Sequence, residues 1–110
     1  MAAVDWKALL PKMAIAAKEV MGREWPKAKD YAESELKKLA DTLQLIERLT
    51  LEGKMTPEEA VLQLQIQKNS ARTVLLTLKG IGMLTAEGAI NAALEIPRQA
   101  VNTALGFTLL

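Results

Sequence analysis

The stretch Gly53-Lys54-Met55-Thr56-Pro57-Glu58-Glu59 decides how this chain folds. Gly53 is free to take the left-handed conformation that follows a helix end. Thr56 is a helix-capping residue type, and Pro57 suits the first helical position. Glu58 and Glu59 meet the positive end of the new helix dipole. One helix therefore stops and another starts with only a few residues between them. Helices joined so closely fold back antiparallel.

The flanking residues agree. Upstream, over about 26–52, Ala32, Leu36, Leu39, Leu43, Ile46 and Thr50 recur at steps of four and three, the seam of a helical bundle. Leu45 and Leu49 widen that stripe, which suits more than one neighbour. Glu33 and Lys37 make a favourable pair four apart. Downstream, over 57–79, Val61, Leu64, Ala71, Val74, Leu75, Leu78 and Ile81 form an apolar face. Gln63, Gln65, Gln67, Lys68, Asn69 and Arg72 read as a solvated face, with a partner-facing surface as the alternative.

Two further segments flank this hairpin. The first, about 5–21, places Trp6, Leu10, Met13, Ala17, Val20 and Met21 on one helical face, with Asp5 as its cap. Pro11 marks an early turn, the true helix start or a kink. Gly22 ends the pattern. Trp25 precedes Pro26 and is expected to be extended. Beyond the hairpin, Gly80-Ile81-Gly82 predicts a break or kink, because each glycine costs about 1 kcal/mol relative to alanine in a helix interior; one long helix through the glycines is the alternative. Gly82 to Ile90 repeats the grammar of Gly53 to Val61 and puts Thr85 in the capping position. Pro97 kinks or restarts the final segment.

From Gly80 to Leu110 only Glu87, Glu95 and Arg98 are charged. On a continuous helix Glu87, Asn91, Glu95, Arg98 and Asn102 share about 80° of arc. The rest is apolar or small, on two faces. Small residues at steps of four and three let helix backbones approach closely. Two apolar faces imply either a central helix or a contact between copies. The expected contact surface comprises Gly82, Ala86, Ala89, Ile90, Ala93, Leu94, Ile96, Ala100, Val101 and Leu105. The apolar end at Phe107 to Leu110 either docks in a core or continues into a longer chain.

The fold expectation is thus all-α and bundle-like. An antiparallel hairpin (about 26–52 and 57–79) is flanked by an N-terminal helix and a kinked, charge-poor C-terminal helix. At 110 residues the chain is one domain, 1–110. Only four residues are Phe, Trp or Tyr, so Leu, Ile, Val, Met and Ala must build the core.

Composition narrows the function classes. The chain has no cysteine and no histidine, which removes disulfides, thiol nucleophiles, thiolate metal sites and imidazole bases. Gly80-Ile81-Gly82 lacks the lysine and the preceding strand of a phosphate loop. The carboxylate pairs Asp30 with Glu33 and Glu58 with Glu59 have ion-pair and dipole explanations. Glu87 and Glu95 are the acids of most interest, and Arg98 stands three residues from Glu95. Trp6 and Trp25 serve core or hinge packing, or else mark an interfacial surface with the nearby lysines.

These observations point to a non-enzymatic helical protein that self-associates through its C-terminal third, a dimer being favoured. A protein partner is a further option. No catalytic residue, metal ligand or cofactor is assigned. One alternative is a peripheral membrane or pore-forming protein using residues 80–110, hinged at the glycines. Another is a nucleic-acid regulator using Lys7, Lys12, Lys18, Arg23, Lys27 and Lys29, which the net charge of +1 disfavours. With no signal peptide or spanning segment in evidence, the cytoplasm is the expected compartment.

Overall fold

The computed structural model describes residues 4–110, and every regular element in them is helical. Helix α1 spans Trp6–Met21 and starts as expected: Ala8 N–H donates to Asp5 Oδ1 at 3.2 Å. Pro11 lies inside α1, and the helix runs through it. A short 3-10 turn, Gly22–Glu24, leads directly into α2, Trp25–Leu51. Trp25 is therefore not extended; its φ of -58° and ψ of -46° are helical. The steric preference of a residue before proline yields here to burial, since the indole is 8% exposed and belongs to the core.

The connection from α2 to α3 reads as the sequence predicts. Gly53 has a φ of +72°. Lys54 N–H donates to Leu49 O at 2.8 Å and Gly53 N–H to Thr50 O at 3.1 Å, the two bonds of a Schellman motif. Thr56 then caps α3, Pro57–Leu76. Its Oγ1 accepts from Glu59 N–H at 3.1 Å, while Glu59 Oε1 accepts from Thr56 N–H at 3.0 Å. Lys37 pairs with Asp41 at 3.3 Å, not with the expected Glu33.

The break at Gly80–Gly82 is real, and α3 stops at Leu76, short of Lys79. Gly80 takes the left-handed φ of +93°. Helix α4, Met83–Glu95, begins at once, with extended Gly82 as its cap and Ala86 N–H donating to Gly82 O at 3.0 Å. Thr85 is therefore inside the first turn and caps nothing. The early start follows from Gly82 supplying the first helical carbonyl itself. Pro97 divides the last segment into α4 and α5, Arg98–Leu105, which Gly106 ends at a φ of +80°.

The helices close into a bundle: α1 packs on α2 and α4, and α3 packs on α2 and α4. The largest contact joins α1 and α4. Helix α5 follows α4 and packs on α2. One core cluster links all five helices through residues such as Met13, Leu39, Leu75, Ala89 and Val101. Burying one large aliphatic side chain is worth about 1.5–3 kcal/mol. The tail is drawn in as well. Asn102 Oδ1 accepts from Leu109 N–H at 2.9 Å and Leu110 N–H at 3.0 Å, and Asn102 Nδ2 donates to Leu110 O at 3.2 Å. Phe107, Leu109 and Leu110 consequently pack against the core.

A long-range link closes the opposite end. Lys27 Nζ donates to Lys79 O in the α3–α4 turn and pairs with Glu24 Oε2 at 2.9 Å. A Cβ on Gly80 would lie 3.0 Å from that Glu24 oxygen, the movable end of a partly exposed side chain, so it is the positive φ that favours glycine.

Candidate interaction surface

The C-terminal third spends most of its apolar surface inside the chain. Ala86, Ala89, Ile90, Ala93, Leu94, Val101 and Leu105 are buried among the chain's own helices. Gly82, Ile96 and Ala100 are exposed. The stripe of small residues is the face on which α4 meets the rest of the bundle, and its largest contact is with α1. Trp25 is buried and Trp6 is packed against the core.

The C-terminal third still exposes Met83 at 48% and Leu84 at 86%, and a further row of exposed aliphatics lies on α3. On α3, Leu62 is 63% exposed, Ile66 62% and Val61 50%. Val61 belongs to the face read as apolar and inward, while Leu62 and Ile66 fall outside it. All three point outward because α3 buries Ala60, Leu64, Ala71 and Leu75 instead. Between Glu59 and Arg72 the only charged residue of this helix is Lys68. At 100° per residue, Glu59, Leu62, Ile66, Asn69 and Thr73 share about 80° of arc. They step by three and four, as a helix-pairing seam does. The glutamine-rich face named in the sequence thus carries a row of aliphatics that inspection of its polar residues passes over.

Charged groups on the inner flank of α3 are already occupied. Arg72 bonds Glu87 at 3.0 Å and Asn69 at 3.2 Å, and Asn69 Oδ1 also accepts from Gln65 Nε2 at 3.0 Å. These residues line a cleft of ≈ 160 Å³ between α3 and α4 with Lys68, Ile90 and Asn91. Glu87 is thereby a partner of Arg72, and Glu95 pairs with Arg98 at 3.2 Å, as expected.

The acid that the fold does bury is Glu35, at 3% exposure. It sits on α2 in the row Ala28, Ala32, Glu35, Leu39, whose steps of four and three give the signal that reveals it. Its Oε2 pairs with Lys38 Nζ at 3.0 Å, and its Oε1 has no partner among the described residues. Ala17, Ala32, Ala71 and Ala89, one from each of α1 to α4, surround it at a cavity of ≈ 10 Å³. Such a space admits little more than one water. The perturbed carboxyls are Glu24 and Glu47. A hydrogen bond and the charge of Lys27 lower Glu24, and burial raises Glu47. Glu24 and Glu47 stand about 34 Å apart at the rise of a helix, so they form no shared centre.

Among the described residues, no group of three or more acidic side chains is placed to hold a metal ion. No helix formed by them is long and apolar enough to cross a membrane. Comparison with protein-family models, with curated proteins and with solved structures finds no match.

Proposed function

We propose that this chain is a non-enzymatic helical assembly protein that self-associates through the outer face of α3. The observation that carries the reading is the exposed pair Leu62 and Ile66 on a seam free of charge from Leu62 to Thr73. Covering one such side chain is worth about 1–2 kcal/mol given its present partial burial. Four of them, two from each copy, are comparable to the lower estimates of the cost of association, about 4 kcal/mol. The assembly is therefore concentration-dependent. A net charge of +1 adds little repulsion between copies. The separated perturbed carboxyls, and the absence of thiol and imidazole, support a role without chemistry.

Light scattering on a sizing column tests this across a concentration series. The parent chain should gain mass with concentration, and Leu62→Glu with Ile66→Glu should stay monomeric at an unchanged melting temperature. A parent that is monomeric throughout, or a double variant that keeps the parent's mass, overturns the reading. Substitution at Ala93 does not serve this purpose. That residue is fully buried, and arginine there breaks the fold.

A further inference from the structure

We infer that the partner seated on α3 is α3 of a second copy, running antiparallel, with the twofold axis beside Leu64; this rests on the self-association just proposed. In that arrangement Leu62 of one copy meets Ile66 of the other, and Ile66 meets Leu62. The two most exposed aliphatics of the seam are covered together. A closed twofold contact uses the same patch twice, so the patch must be complementary to itself.

The charge pattern selects the direction. The first turn of α3 is acidic, with Glu58 and Glu59, and its last turn carries no acid. A parallel pair would set Glu59 against Glu59 and align the two helix dipoles. Both effects are unfavourable. The antiparallel pair places Glu59 opposite Asn69. The Asn69 side chain accepts from Gln65 and Arg72 through Oδ1, and its Nδ2 donates to no described residue. Glu59 uses Oε1 for the helix cap and leaves Oε2 as an acceptor. An amide donor and a carboxylate acceptor thus meet at each end of the aliphatic centre, twice by symmetry.

The chain has no cysteine, so introduced thiols report without background. Leu62→Cys and Ile66→Cys are prepared as single variants, mixed and gently oxidised. Thr73→Cys is oxidised alone, and the mass of each unoxidised variant is followed by light scattering. The antiparallel pair gives a disulfide-linked dimer in the Leu62→Cys and Ile66→Cys mixture. It gives none with Thr73→Cys, whose two copies lie about 27 Å apart along the pair. A linked Thr73→Cys dimer means parallel helices and overturns the inferred direction while the association itself stands. Dimers by mass that link in neither experiment place the contact on another face and overturn both. A parent chain that is monomeric at every concentration overturns the self-association itself.

Discussion

A Cβ on Gly88 would lie 3.2 Å from Val20 Cγ1, so α4 rests on α1 with no room for an ordinary side chain between them. A methyl group fits there only if Val20 gives way, and a glycine inside a helix costs about 1 kcal/mol relative to alanine. Val20 is 42% exposed and sits at the edge of the core, which lets it shift by the few tenths of an ångström that a methyl group needs.

Gly88→Ala should therefore be neutral to stabilising, by up to about 1 kcal/mol. Gly88→Leu should separate α1 from α4 and cost about 1–3 kcal/mol, the usual penalty of overpacking. Adding Val20→Ala should recover part of that loss. Urea denaturation of the three variants decides the matter, and a strongly destabilised Gly88→Ala would show that Val20 is held fast.

Glu35 is the second test of the core. Its carboxyl has one ionic partner, Lys38, whose side chain is 57% exposed, and one unpartnered oxygen. Replacing a poorly satisfied buried charge with an apolar side chain of similar volume is often stabilising by about 1–4 kcal/mol. Glu35→Met should raise the denaturation midpoint, whereas Lys38→Met should lower it by leaving the carboxyl unpaired. A drop in stability for Glu35→Met would mean that the carboxyl fixes the packing of the four surrounding alanines.

Two carboxyls give opposite pH dependences. Glu24 is held below its usual value of 4.5, first by the hydrogen bond from Lys27 and then by its charge. Its contribution is present above that usual value and is lost as the pH falls through the lowered one. Glu47 is raised above 4.5 by burial, so its contribution is present below 4.5 and is lost as the pH rises through the raised value. Glu47→Gln should stabilise the chain at pH 7 and have no effect near pH 3. Glu24→Gln should weaken it slightly at pH 7, and the loss should shrink as the pH falls below 4.5. Thermal melts at both pH values test the signs, and a Glu47→Gln gain that persists in acid would assign the effect to packing.

Much of this architecture is written in local chemistry. The stop at Gly53, the cap at Thr56 and the seam from Leu36 to Ile46 depend on residues within a few positions of one another, and the sequence displays them. Trp25 and Thr85 mislead for a shared reason: each obeys a local preference that a neighbour overrides, the core around Trp25 and the extended Gly82 before Thr85. The C-terminal third shows the larger limit. Its two apolar faces are plain in the sequence, but whether a second helix of the same chain or another copy covers them depends on contacts far away in sequence. The answer lies in α1, whose Ala17 and Val20 carry no mark that they belong beside α4. Leu62 and Ile66 were hidden by the opposite effect, as two aliphatics scattered among glutamines give no helical face of their own until Ala60, Leu64, Ala71 and Leu75 are seen to turn inward.

The bond from Lys27 to Lys79 O has a kinetic consequence. It joins positions 52 residues apart and requires α2, α3 and the turn before α4 to be in place first. Closing so long a loop carries an entropic cost that local helix contacts do not share. The bond therefore belongs to the late, downhill side of the folding barrier. Lys27→Met should leave the refolding rate nearly unchanged and speed unfolding, a split that stopped-flow measurements resolve. On that view Lys27 acts as a latch on the lifetime of the native state: it takes no part in assembling the bundle and delays its opening.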